Sequence, residues 1–219
     1  MIQLDAMVSK RMNNKAVFLD RDGVVNELVH HQEQEVIDSP FTVGQFKLLP
    51  GAAKAIKSLQ KAGYLVILIS NQPGMAKGQM TEETFEKIRK KMVTELGKAG
   101  AVLDGEYYCY HHPEALVKQY KVKCDCRKPA PGLLLKAAQD MDIDLGQSWM
   151  IGDNLSDIQA GKDAGCRTVL LGKMKCEVCN LMDEKNARPD NISSDLAEAA
   201  QYILDGRIYS REKKATGIS

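Results

Sequence analysis

Two aspartates stand two residues apart in Asp20-Arg21-Asp22-Gly23, directly after the apolar run Ala16-Val17-Phe18-Leu19. Carboxylates placed this way at a strand end can divide labour, one attacking as nucleophile while the other gives and takes the leaving group's proton. Two more apolar runs end in polar residues: 65–69 in Ser70-Asn71-Gln72, and 149–151 in Gly152-Asp153-Asn154-Leu155-Ser156-Asp157. Ligands of open parallel sheets bind beyond the carboxyl ends of the strands, so these groups are expected to converge. Packing Asp20, Asp22 and Asp153 together is costly unless a hard cation shares the site, and an all-oxygen set favours magnesium. A lone strand-end Asp more often caps the next turn or helix, so the argument rests on the combination.

A second constellation is Cys109-Tyr110-His111 with Cys124-Asp125-Cys126, the pattern C-x-H-x12-C-x-C. Residues at i and i+2 of an extended segment face one side, so each pair can chelate one ion. Three cysteines and a histidine complete a tetrahedral zinc site with no open position, which makes the expected zinc structural. His112 is the weaker competitor to His111. Arg127-Lys128 follows the last ligand directly, and Pro129 and Pro131 stiffen the same turn, so a closed zinc site would hold cationic side chains ready for a phosphate. Cys176-x-x-Cys179 lacks two further nearby ligands and is left without a role.

The elements that must position these residues are legible in the patterning. Short apolar runs at 16–19, 65–69, 149–151 and 168–171 read as strands buried on both faces of a parallel sheet. Between them lie helical periodicities: Ala52, Ile56 and Leu59 before Gly63; Phe85, Ile88, Met92 and Leu96 behind an N-cap at Thr81; 133–141 after Pro131; 157–164 stopping at Gly165; and 196–204. The alternation predicts an α/β fold, a Rossmann-like parallel sheet with helices on both faces. Residues 1–14 read as an arm, 15–206 as one catalytic domain and 207–219 as a polar tail, while 27–49 shows no clear period.

Composition sets limits. In 219 residues, 44% apolar and 27% charged is ordinary globular content, and 30 basic against 29 acidic residues leave a net charge of +1. That balance argues against nucleic acid or an anionic membrane as the main partner. With no membrane-length apolar stretch and no signal-peptide block, a cytoplasmic monomer with six mostly reduced cysteines is expected.

The catalytic residues resemble the haloacid dehalogenase superfamily, whose phosphatases carry Asp-x-Asp, a Ser or Thr, a Lys and a late acidic motif in this order. Asp20-Arg21-Asp22-Gly23, Ser70, Lys128 and Gly152-Asp153-x-x-x-Asp157 are similar to that series. The resemblance implies that Asp20 forms an aspartyl-phosphate, Asp22 is the general acid/base, and Ser70 and Lys128 hold the phosphoryl oxygens. It also implies that Asp20, Asp22 and Asp153 hold magnesium, with Asp157 supporting them. Because Asp22 is present, phosphoryl transfer is favoured over carbon–halogen cleavage.

Longer strings resemble one branch, the heptose 1,7-bisphosphate phosphatases and their relatives, the histidinol-phosphate phosphatases. They are Phe18-Leu19-Asp20-Arg21-Asp22-Gly23-Val24-Val25-Asn26, Ser70-Asn71-Gln72, Tyr107-Tyr108-Cys109-Tyr110-His111-His112-Pro113 and Cys124-Asp125-Cys126-Arg127-Lys128-Pro129-x-Pro131-Gly132. Asn26 and the Cys-x-His-His-Pro string look more like the heptose group. That group usually has Thr at the place of Ser70, Ser at Pro73 and Arg at Lys77. The resemblance implies a magnesium-dependent phosphatase removing the C7 phosphate of a phosphorylated sugar, D-glycero-D-manno-heptose 1,7-bisphosphate, with Asn26, Asn71, Lys77 and Arg127 at the substrate. The alternatives are a histidinol-phosphate phosphatase and, outside enzymes, a zinc-stabilised binding module. No insertion between Asp22 and Lys128 is long enough for a large cap domain, so an open site is expected.

Overall fold

The computed structural model describes residues 14–172 and 181–206. The expected arm, apart from Asn14, the polar tail, Cys176 and Cys179 lie outside the described residues.

Six parallel strands form the sheet: β1 (Lys15–Leu19), β4 (Tyr64–Asn71), β5 (Gly105–Cys109), β6 (Trp149–Gly152), β7 (Arg167–Leu171) and β8 (Asn191–Ser193), in the order β5-β4-β1-β6-β7-β8. Among the described residues the helices α1 (Ala52–Lys61), α2 (Glu82–Lys98), α3 (Gly132–Met141), α4 (Leu155–Asp163) and α5 (Leu196–Leu204) accompany them. The expected α/β fold is present. β1 is central because its residues face apolar neighbours on both sides: Val17 and Leu19 pack with α1, α2 and α5, whereas Ala16 and Phe18 pack with α3 and α4. An unbroken apolar run is what two buried faces require.

Register decides where the polar residues fall. Leu19 pairs with Leu68 on one side and with Ile151 on the other, so Asp20, Ser70 and Asp153 all emerge at one end of the sheet. The chain runs outward from β1 through β4 to β5, then returns to build β6, β7 and β8 on the other flank. The crevice at β1 and β6 is therefore a topological switch point, where α/β sheets bind ligands.

Local signals place the helices well. Thr81 caps α2, its hydroxyl accepting from Thr84 N at 3.2 Å. Gly165, at φ +87°, ends the α4 segment. α4 starts at Leu155, earlier than the expected 157, because the Asp157 carboxylate accepts from Asn154 N at 3.0 Å and closes the first turn. The aperiodic stretch 27–49 holds a small antiparallel hairpin, β2 (Val29–His31) and β3 (Val36–Asp38). His31 stacks on Phe41 at 3.8 Å, and Lys91 of α2 donates to the carbonyls of Val43 and Phe46, anchoring the segment. Among the described residues no helix is long and apolar enough to cross a membrane.

Candidate active site

The strand ends bring a lysine among three carboxylates. Lys128 Nζ lies 2.8 Å from Asp20, 2.6 Å from Asp157 and 2.9 Å from Ile69 O, and its side chain is almost fully buried. Burial alone works against the ammonium, but Asp157 and Asp20 outweigh it and hold the amine charged, above its ordinary value. Asp20 is pushed up to about 6, first by burial, against the pull of Lys128, with Asp157 and Asp22 adding repulsion. Asp153 is pushed up to about 7 by burial and by the charges of Asp20 and Asp157.

Two glycines make this crowding possible. At Gly152 an added Cβ would run into the Asp157 side chain, and at Gly23, where φ is +80°, into the Asp153 carboxylate. Oxygens of Asp20, Asp153 and Asp157 come within 4.8 Å of one another. Three carboxylates against one lysine, all offering oxygen, suit a hard divalent cation that would relieve the repulsion.

Asp22, expected with Asp20 and Asp153 at the metal, has its side chain placed apart from theirs. Its carboxylate lies outside that group and accepts from Arg21 Nε and Nη2 at 3.1 Å each, from Asn26 Nδ2 at 2.9 Å and from Gln72 Nε2 at 2.7 Å. Asp157, expected only in support, is the third member of the carboxylate group. Asn26, expected at the substrate, is wholly buried and serves Asp22. Asn71 lines the cleft, but its amide is spent on the backbone of Lys128. Ser70 is buried, with its Oγ accepting from Gln72 Nε2 at 2.9 Å.

Cys109, His111, Cys124 and Cys126 come together as the spacing required. Cys109 Sγ stands 3.7 Å from Cys124 Sγ and 3.1 Å from Cys126 Sγ, and His111 Nδ1 stands 3.3 Å from Cys126 Sγ. Thiolates about 2.3 Å from a tetrahedral zinc lie roughly 3.8 Å apart, so the set fits the ion with small adjustments. His112 is outside the tetrad; its Nδ1 accepts from Glu114 N, and its ring lines the catalytic cleft. Arg127 donates to His111 O at 3.2 Å, which ties the cationic rim to the tetrad.

A cleft of about 650 Å³ opens over the carboxylates. Lys77 and Arg127 form its cationic rim, the His112 ring lies beside them, and Leu28, Ile37, Asp38 and Ser39 bring the hairpin to its edge. Burial and the charges of Arg127 and Lys77 lower the pKa of His112. In the sequence only the aperiodic stretch 27–49 corresponds to these hairpin residues.

An aspartate pair directly after β1, a lysine on the crossover from β5 to β6 and an acidic turn after β6 define a hydrolase of the haloacid dehalogenase type. A family model described as HAD-hydrolase-like matches residues 125–199. The D-glycero-beta-D-manno-heptose-1,7-bisphosphate 7-phosphatase of Haemophilus ducreyi is 44% identical over 88% of this chain and 100% of its own length. The Pasteurella multocida protein of the same name is 41% identical over 87% of this chain and 91% of its own. The crystal structure of D,D-heptose 1,7-bisphosphate phosphatase from B. bronchiseptica, complexed with magnesium and phosphate, superposes with a TM-score of 0.71 at 32% identity, covering 88% of this chain and 99% of that one. The chain belongs to the heptose 1,7-bisphosphate phosphatase family of the haloacid dehalogenase superfamily, enzymes that hydrolyse phosphate monoesters.

Proposed function

We propose that this enzyme hydrolyses the C7 phosphate of D-glycero-D-manno-heptose 1,7-bisphosphate and leaves the C1 phosphate in place. The observation that carries the reading is the buried contact of Asp20 with Lys128 at 2.8 Å, beneath a cleft with a cationic rim. Asp20 attacks phosphorus in line with the leaving oxygen, which is easiest at a phosphate on a projecting primary carbon. Its carboxylate oxygen bonds to phosphorus as the bond to O7 breaks, and Asp22 gives O7 a proton. Water then attacks the aspartyl-phosphate, Asp22 takes its proton, and Asp20 is regenerated as phosphate departs. Lys128 and the Ser70 hydroxyl hold the phosphoryl oxygens.

Asp20, Asp153 and Asp157 are the side chains that would hold magnesium, which when bound neutralises and orients the phosphoryl group. Zinc is the metal we assign to the Cys109, His111, Cys124 and Cys126 tetrad, where it acts by fixing the Lys128 loop.

Arg127 and Lys77 grip the remote C1 phosphate, so its binding energy orients the reacting end. The same cations speak against histidinol phosphate, whose amine would meet like charge. Turnover across a panel of sugar bisphosphates, their monophosphates and histidinol phosphate tests the reading. The heptose bisphosphate should rank first, and Asp20→Asn should turn over none of them. Preference for histidinol phosphate, or steady turnover by Asp20→Asn, would overturn it.

A further inference from the structure

Gln72 has no role in the chemistry derived so far, yet it touches both ends of it. Its side chain is buried, and its backbone N donates to Cys109 O at 2.7 Å, which fixes the residue between the ends of β4 and β5. From there Nε2 donates to Asp22 Oδ2 at 2.7 Å and to Ser70 Oγ at 2.9 Å, while Oε1 is buried without a partner. In the ionised form that takes the proton of the attacking water, the Asp22 carboxylate only accepts, so the amide presents its nitrogen to it, and its two hydrogens match the two acceptors. Leaving the amide oxygen buried and unpaired is costly, which shows how firmly the two donations set the side chain.

The bond to Ser70 also directs the serine proton. A hydroxyl has one hydrogen and two acceptor positions, and Gln72 fills one of the latter. Among the described residues no acceptor takes the Ser70 hydrogen, so it is available to an incoming oxygen.

We propose that Gln72 is a positioning residue that couples the two halves of the reaction centre. Its amide holds the Ser70 hydroxyl with its proton free for a phosphoryl oxygen, and holds the Asp22 carboxylate where the leaving oxygen departs. This rests on the roles given above to Ser70 and Asp22.

Gln72→Met, which keeps length and volume but has no donor, separates this role from a structural one. On heptose 1,7-bisphosphate, with its poor alkoxide leaving group, kcat should fall about 100-fold. On 4-nitrophenyl phosphate, which needs little protonation, the loss should be about tenfold or less. The inhibition constant of inorganic phosphate should rise about fivefold, and Gln72→Met should add nothing to it in a Ser70→Ala background, since coupled residues do not add. Gln72→Glu, with the native shape but an acceptor facing Asp22, should show the same leaving-group dependence, and it carries the test if the methionine variant does not fold. Equal losses on both substrates, or additive effects on phosphate binding, overturn the role of Gln72 while wild-type turnover keeps the phosphatase reading intact. A wild type inactive on both substrates would refute the phosphatase reading itself.

Discussion

Asn71 and Lys128 are joined like residues of paired strands: Asn71 Nδ2 donates to Lys128 O at 3.0 Å, and Lys128 N donates to Asn71 Oδ1 at 3.1 Å. The lysine loop is thus held at both ends, by the end of β4 at Lys128 and by the Cys/His tetrad just before it. A side chain that looks like a substrate contact in the sequence is spent on keeping the buried Lys128 in place.

Removing that clamp should cost activity more than it costs the tetrad. For Asn71→Ala we expect kcat/KM to fall about tenfold or more, in line with two hydrogen bonds worth about 1 kcal/mol each. Bound zinc, counted by elemental analysis, should stay unchanged. Full activity would show that the tetrad alone fixes the loop.

Zinc should be present at about one equivalent in protein purified without chelators. Cys124→Ser should lose it. Stripping the metal should lower activity even in excess magnesium, because Lys128 sits two residues beyond the ligand Cys126, and adding zinc back should restore it. Cys124→Ser with full metal content would contradict the ligand set.

Asp157 and Lys128 form an ion pair with both side chains almost wholly buried. Breaking such a pair from one side leaves a charge without its partner and costs about 3 kcal/mol. Lys128→Met, which strands Asp20 and Asp157 together, should therefore lower unfolding stability by about that much and remove turnover. Urea unfolding of the metal-free protein measures the first effect. In saturating magnesium the stability loss should shrink, since a cation among the carboxylates replaces the missing charge. A loss unaffected by magnesium would contradict the carboxylate grouping.

The central strands were readable because β1, β4, β6 and β7 are buried on both faces and carry aliphatic runs. The edges were not. β5 reads Gly-Glu-Tyr-Tyr-Cys and β8 reads Asn-Ile-Ser, with few aliphatic side chains, because an edge strand has less core to fill. The hairpin strands are three residues each, too short to show a period. The catalytic set was legible through its position after apolar runs, but the contacts within it were not. Spacing puts Asp22 near Asp20; it does not show that Arg21, Asn26 and Gln72 occupy the Asp22 carboxylate. Gln72 had a signal that went unused: it lies two residues from Ser70 at a strand end and so shares its face.

Phosphorus NMR of the product formed from D-glycero-D-manno-heptose 1,7-bisphosphate tests the account most directly. We predict that the C7 phosphate resonance disappears as inorganic phosphate grows in equal amount, while the C1 phosphate resonance persists. A product that keeps its C7 phosphate, or release of both groups, would contradict the placement of the reacting end at Asp20 and of the remote phosphate at the Arg127 and Lys77 rim.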